Sequence, residues 1–264
     1  MGWGDELMAA GQAREIHERT GRMVQIIDRN GYTRRHEAWN GNPHIVQAGQ
    51  FIAGQVEQLR NGPGYRPYIK AKHTTHWEWM EFSPARADLI LSEEELRCAD
   101  LLRKQHDLTR FVLIEPNLKA KASPNKYWGT ERWVALTARM REEGIRPIQI
   151  GPAGTRVIPG AELIVTSTFR IGCALLAHAK TAVLHEGGLH HAAAALGLRV
   201  VVIFGGFISP KQTGYPFHTN LFTGGTPCGQ RMPCRHCMIA MDQITPDMVF
   251  REMLQIYNGD SHHV

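Results

Sequence analysis

The segment Leu184-His185-Glu186-Gly187-Gly188-Leu189-His190-His191 leaves an apolar run and enters four alanines, so it reads as a strand, a glycine turn and a helix start. A helix begun in this way presents unpaired N–H groups and the positive end of its dipole, and glycines let an anion approach the main chain. A diphosphate suits that arrangement. The same residues also fit a tight turn in which the glycines serve backbone geometry alone. His190 and His191 are adjacent, so on a helix their rings are expected to diverge, and without i, i+4 spacing they are not expected to share a metal ion.

Two further groups carry chemistry. The stretch from Pro116 to Gly129 supplies Lys119, Lys121 and Lys126 after the apolar run Phe111 to Glu115. Ligands of open α/β sheets bind outside the carboxyl ends of the strands, so this loop and the Gly187-Gly188 turn are expected to face one crevice, with Lys126 as the diphosphate partner. The plain alternative is a solvated lysine. Cys228, Cys234 and Cys237, the last two flanking Arg235-His236, have the spacing of a zinc or iron knuckle if His218, His236 or Cys173 supplies a fourth ligand. Four protein ligands would make that site structural, because a closed shell leaves no position for a substrate.

The elements that must position these groups follow from periodicity. A helical pattern runs from Leu7 to about Thr20, and Met23 to Asp28 reads as a short strand. Turn signals at Asn30-Gly31, Asn40-Gly41 and Asn61-Gly62 imply short elements with long connections up to residue 66. Tyr68 to Lys70 and Asp88 to Leu91 are expected to add short strands around Trp77, Trp79 and Phe82. Ser92 and Glu95 form a capping box opening the next helix. From Phe111 the pattern becomes regular: strands at 111–115, 147–150, 182–184 and 200–204, with helices at 131–143, 170–178 and 189–196 between them. Strands alternating with helices of this length specify a parallel sheet covered on both faces, so the C-terminal half is Rossmann-like. The polar stretch Lys104-Gln105-His106-Asp107 marks the expected boundary between two domains.

With 264 residues, 43% hydrophobic and 21% charged, the chain can bury a substantial core, which excludes disordered, collagenous and coiled-coil classes. A formal charge of +5 with fourteen histidines is compatible with an anionic partner but does not select one. Five cysteines, an odd number, match a disulfide framework poorly. The longest apolar stretch, Ala192 to Ile208, contains Arg199 and Gly205-Gly206, so no membrane span is expected. The first residues show neither a basic leader nor a long apolar region, so the expected location is the cytoplasm.

Several of these motifs occur in the order found in a known family. The sequence resembles glycosyltransferase family 9, the ADP-heptose:lipopolysaccharide heptosyltransferases and their relatives, from about residue 111 to 250. Lys126-Tyr127-Trp128 with Glu131 and Trp133 resembles the family's lysine before a tryptophan that opens a helix. Glu186-Gly187-Gly188-Leu189-His190-His191 through Leu196-Gly197 resembles its Asp-Ser/Thr-Gly-x-x-His-Leu-Ala-Ala-Ala-Leu-Gly phosphate turn, with Glu186 and Gly187 replacing Asp and Ser/Thr. The strand ending at Gly205 and the cysteine-containing tail from Cys228 to Cys237 follow in the same order. Before residue 111 the likeness rests on Gly4-Asp5-Glu6-Leu7-Met8, similar to the family's Gly-Asp-x-x turn, although the buried strand preceding that turn has no counterpart here.

The resemblance implies an α/β fold of two Rossmann-like domains facing a cleft (GT-B-like), the N-terminal one reduced. Residues 1–106 would form the acceptor side and residues 107–264 the nucleotide-sugar side. It implies transfer of a sugar from a nucleotide-diphosphate donor to a hydroxyl of a saccharide or other acceptor, with inversion. Asp5 would be the base, and Lys126, Glu186, Gly187, Gly188, Leu189 and His191 would hold the donor. Glu6 and His185 stand next in line as bases. No cofactor would be required for catalysis, in keeping with the lack of an Asp-x-Asp pair in the sequence, and the three cysteines would hold at most a structural zinc or iron. Two alternatives remain open: a phage-type DNA-base glycosyltransferase using Tyr32 to His36, Arg66 to Lys72, Trp77 and Trp79 on nucleic acid, and a non-catalytic nucleotide-binding or metal-stapled interaction module.

Overall fold

A computed structural model describes residues 2–50, 54–119 and 122–259. The chain opens with α1 (Trp3–Thr20), β1 (Val24–Ile27), β2 (Glu57–Arg60), β3 (Ile69–Lys72), β4 (Trp77–Trp79) and α2 (Glu93–Gln105). It continues with β5 (Phe111–Glu115), α3 (Thr130–Glu142), β6 (Arg146–Gly151), β7 (Glu162–Val165), α4 (Phe169–Leu176), β8 (Thr181–His185) and α5 (Gly188–Ala195). The remaining elements are β9 (Val201–Gly205), α6 (Pro210–Thr213), β10 (Thr219–Phe222), α7 (Arg235–Gln243) and α8 (Pro246–Asn258).

Six strands form one parallel sheet in the order β10-β9-β8-β5-β6-β7. The chain winds outward from β5 in one direction and then, from β8, in the other. That order is the doubly wound one, and it opens a crevice where the direction reverses, outside the carboxyl ends of β5 and β8. Alternation along the strands explains the two covered faces. Phe111, Leu113, Ala182, Leu184, Val202 and Phe204 belong to one apolar cluster, which includes residues of α1, α4 and α5. Val112, Ile114, Val183, Val201 and Ile203 belong to the other, together with residues of α3 and α8. A strand buried on both faces has to be apolar throughout, which is why these segments read as continuous Val/Ile/Leu runs.

The N-terminal part is smaller. It has a two-stranded parallel ladder, β1 with β2, and an antiparallel hairpin, β3 with β4. Leu7, Met8 and Ala10 of α1 lie in the same cluster as Leu113 and Leu184, so apolar packing is continuous across residues 106 and 107. α1 is anchored by Glu6, whose side chain is fully buried and takes both guanidinium nitrogens of Arg34 (2.9 and 2.8 Å) and the amide of Asn61 (2.8 Å). The indole of Trp39 donates to its carbonyl at 2.8 Å. A buried carboxylate is tolerable only with such a complete set of partners.

Three local expectations change. α1 begins at Trp3 rather than Leu7, so Gly4 and Asp5 lie in its first turn. Asp88 to Leu91 forms no strand, because side chains take carbonyls a ladder would need: Asn42 donates to Asp88 O at 3.0 Å and Arg170 to Ile90 O at 2.5 Å. The hairpin strand runs from Ile69 to Lys72, one residue later at its start than expected. Among the described residues no helix is long and apolar enough to cross a membrane.

Candidate functional site

Lys126 ends a 3₁₀ turn, Pro124–Lys126, in the loop after β5. Trp128, two residues on, is fully buried, edge-on to Trp133 with ring centroids 5.0 Å apart, and donates its indole N–H to Ile244 O at 2.7 Å. Burial of a ring this size stabilises by about 4–6 kcal/mol, so Trp128 pins the loop and leaves Lys126 at its rim. The ammonium of Lys126 pairs with Glu186 and lies 5.5 Å from the ring centroid of Phe207. Sixty residues of chain separate Lys126 from Glu186; adjacency of β5 and β8 removes that separation.

Glu186 follows β8, and its side chain is 7% exposed. Burial would raise its carboxyl, but the charge and hydrogen bond of Lys126, with the His191 ring 3.9 Å away, outweigh that and hold it well below the usual range. Glu115, at the carboxyl end of β5, has the opposite fate. Its Oε2 is shut off from solvent without a partner, and burial, helped by the charge of Glu186, pushes its carboxyl up to about 8. The two neighbouring carboxyls are thus driven apart, Glu186 downward by its cationic partner and Glu115 upward by burial.

In the turn itself, the N–H groups of Gly188, Leu189 and His190 precede the first intrahelical bond of α5, from His191 N–H to Gly187 O at 3.3 Å. A Cβ on Gly188 would come within 3.2 Å of Trp3 Cβ and Phe169 Cζ, so α1 and α4 pack closely on this turn and would have to give by a few tenths of an ångström to admit a larger residue. A Cβ on Gly187 would meet nothing nearer than 3.9 Å. The side chain of Leu189 is buried in the core, which leaves its main chain for the turn.

The first turn of α1 rests on this same turn. A Cβ on Gly4 would approach the His191 ring to 2.6 Å and the Gly187 carbonyl carbon to 3.6 Å. Asp5 is therefore brought to the edge of the crevice, where it accepts from Tyr68 Oη (2.6 Å), Arg66 (2.9 Å) and Gly2 N (3.3 Å). Burial, reinforced by the charge of Asp5, holds the Tyr68 phenol well above its ordinary range, so it acts as a fixed donor. Lys119 lies nearby, its Nζ 2.6 Å from where a Gly2 Cβ would stand. Lys121, the other cation expected from this loop, lies outside the described residues.

Sequence reasoning missed Arg66, Tyr68 and Glu115 as members of this group. Arg66 was visible only as part of a basic stretch. The two reserve bases are both engaged: Glu6 is locked by Arg34 and Asn61, and burial pushes the His185 imidazole down to about 4 while its Nε2 accepts from Trp128 N–H at 3.4 Å. The rings of His190 and His191 do not diverge as expected. Their centroids are 4.5 Å apart, and ligand atoms of Glu186, His190 and His191 lie within 4.8 Å of one another. Both ring nitrogens of His190 and of neighbouring His218 are buried without partners, and burial keeps both imidazoles neutral. Arg34, Arg66 and Lys70, from the stretches considered for nucleic acid, are paired with Glu6, Asp5 and Glu78.

The cysteine cluster has a defined geometry. Cys228 Sγ lies 3.7 Å from Cys234 Sγ and 3.1 Å from Cys237 Sγ, and ligand atoms of these three and His236 lie within 4.8 Å of one another. Of the candidate fourth ligands, His236 is the one in place; His218 packs on His190, and Cys173 is buried in α4. The Nε2 of His236 is 2.7 Å from Gly224 O, which fixes its proton there and turns Nδ1 toward Cys237 as a ligand lone pair. Gln230 N–H donates to Cys228 Sγ at 3.4 Å. The hydrogen bond from Cys237 pulls the Cys228 thiol down to about 5, and the same contact raises that of Cys237. Three sulfurs and an imidazole at these spacings fit a tetrahedral zinc or iron ion.

No family model and no curated protein matches this sequence. Solved structures do. The crystal structure of a glycosyl transferase family 9 protein from Veillonella parvula superposes with a TM-score of 0.64 at 13% identity, covering 97% of this chain and 95% of that one. ADP-heptose lipopolysaccharide heptosyltransferase II of E. coli gives a TM-score of 0.49 at 20% identity, over 65% of this chain and 53% of that one. The iron-containing dodecameric glycosyltransferase TibC of enterotoxigenic E. coli gives 0.49 at 19% identity, over 67% and 50%. The chain thus spans about half the length of the latter two. It shares its fold with the Veillonella protein over nearly its whole length.

Proposed function

We propose that this protein is a glycosyltransferase that moves a sugar from a nucleoside-diphosphate donor to an acceptor hydroxyl, with inversion and without a catalytic metal. The observation that carries the reading is the convergence of three segments at the reversal point of the sheet: Lys126 from the loop after β5, the Gly187–Leu189 turn after β8, and Asp5 from α1 packed on that turn. The fold shared with the Veillonella protein and the order of the sequence motifs support it.

In this reading residues 107–264 hold the donor and residues 1–106 present the acceptor. The diphosphate lies against the free N–H groups of Gly188, Leu189 and His190 and takes Lys126 from Glu186. An acceptor oxygen attacks the anomeric carbon while the bond from that carbon to the β-phosphate oxygen breaks, its electron pair staying on the phosphate. The acceptor proton passes to Asp5, and a single displacement inverts the centre. Lys126 and the turn stabilise the charge developing on the leaving diphosphate, a role that in other sugar transferases falls to a divalent ion. Tyr68 and Arg66 orient the Asp5 carboxylate. A depression of about 420 Å³, lined by Trp77, Trp79, Glu81 and Gln212 among others, offers an aromatic and hydrogen-bonding surface suited to a saccharide acceptor. Cys228, Cys234, Cys237 and His236 would hold a structural zinc or iron ion, which fixes the loop and leaves no position for substrate.

Calorimetric titration of ADP, GDP and UDP into wild type and Lys126→Ala tests the donor site. One nucleotide should bind the wild type, and the variant should lose about 10- to 100-fold in affinity, the scale of a charge-assisted contact. Equal affinity in both proteins, or binding of none of the three, refutes the assignment.

A further inference from the structure

Asn125 precedes Lys126 and is buried, and its amide is spent entirely on the cysteine loop. Its Nδ2 donates to Gln230 O and Met232 O, each at 2.7 Å, and its Oδ1 accepts from Cys234 N–H at 3.0 Å. Ser123 Oγ adds a bond to Gln230 O at 3.2 Å. The far side of the same loop grips the β3–β4 hairpin: Trp77 N–H donates to Gly229 O at 3.0 Å, and Arg231 N–H to Thr75 O at 2.9 Å. Gly229 has φ +63, and a Cβ there would collide with Trp77's main chain, so this contact also demands glycine.

Residues 228–234 include no helix or strand, so the segment takes its shape from the bond of Gln230 N–H to Cys228 Sγ, from its contacts with Asn125 and the hairpin, and from whatever holds its two ends. Its two ends, Cys228 and Cys234, converge on one ligand cluster with Cys237 and His236. An ion there closes the segment into a ring of set geometry and thereby sets the positions of the carbonyls that hold Asn125. We infer that the metal knuckle is a latch on the donor site: through Asn125 it holds Lys126 in place for the diphosphate, and through Gly229 and Arg231 it holds the aromatic hairpin, while the ion takes no part in the chemistry. Asn125 is accordingly a positioning residue. The inference rests on the donor assignment proposed above.

The test is Asn125→Ala in the full-length, metal-loaded protein, read by metal content, ADP, GDP and UDP calorimetry and amide hydrogen exchange. The variant should retain the wild-type metal content and lose tenfold or more in affinity for the nucleotide that wild type binds. In a Lys126→Ala background the same substitution should cost nothing further, because the position it secures is already empty; a general loss of structure would instead add to the effect of Lys126→Ala. Exchange in residues 122–128 should speed up in Asn125→Ala, and removal of the ion by chelator should speed it there and in residues 74–79. Full affinity in Asn125→Ala, additive losses in the double variant, or exchange unaffected by metal removal overturns the latch. If wild type binds no nucleotide, the transferase reading falls, and the exchange result alone decides whether the knuckle governs these two segments.

Discussion

Glu115 gives the sharpest quantitative consequence of this architecture. Its carboxyl is raised from the ordinary 4.5 to about 8 by burial and by the charge of Glu186, with Lys126 opposing. Below pH 4.5 folded and unfolded chains both hold the proton, and the contribution of this group to stability is complete. Between pH 4.5 and 8 the unfolded chain releases the proton while the folded chain keeps it, so stability falls by about 1.4 kcal/mol per pH unit, or roughly 5 kcal/mol in all. Above pH 8 the loss is complete. Glu115→Gln keeps the shape and removes the ionisation, so its urea-unfolding free energy should lack this slope and exceed that of wild type at pH 9. His185, beside Glu115, is pushed from 6.5 down to about 4, so its own contribution rises between pH 4 and 6.5 and opposes that of Glu115 there; both proteins share it, and Glu186, held well below 4.5, acts below the window, so the difference between the two proteins isolates Glu115. Unfolding followed by tryptophan fluorescence at pH 5, 6, 7, 8 and 9 measures the difference between the two proteins. Parallel curves would refute the placement of an uncompensated carboxyl at the end of β5.

Two further substitutions test the rest of the crevice. Asp5→Asn should keep donor affinity and lose about 100-fold or more in turnover, since the amide holds its place between Tyr68 and Arg66 but cannot take a proton; wild-type turnover would remove Asp5 from the role of base. The two glycines of the turn should separate in urea midpoints: Gly187→Ala should cost little, because its Cβ meets open space, whereas Gly188→Ala should cost about 1–3 kcal/mol by pressing on Trp3 and Phe169. Equal midpoints would mean that α1 does not pack on the turn.

Much of the C-terminal half was legible because its strands are buried on both faces and must be apolar throughout, as Phe111 to Ile114 and Val201 to Phe204 are. The edge strands escaped notice for the same reason inverted: Glu162–Val165 and Thr219–Phe222 pair on one side only and are partly exposed, so neither gives a continuous apolar run. Asp88 to Leu91 misled because an extended apolar segment needs a free neighbouring edge to become a strand, and side chains of Asn42 and Arg170 had taken its carbonyls.

The site divides along the same line. The types of Lys126, Glu186, Gly187, Gly188 and the three cysteines are properties of local sequence, since a glycine turn before a helix and a Cys-x-x-Cys spacing carry their chemistry with them. The partners are not. That Lys126 meets Glu186, that Asp5 reaches the Gly187 turn beside Arg66 and Tyr68, and that Asn125 is held by the cysteine loop all depend on segments 60 to more than 180 residues apart. Strand order brings them together, and strand order is settled by which apolar faces can be buried at once, a property of the packed whole that no window of the sequence contains.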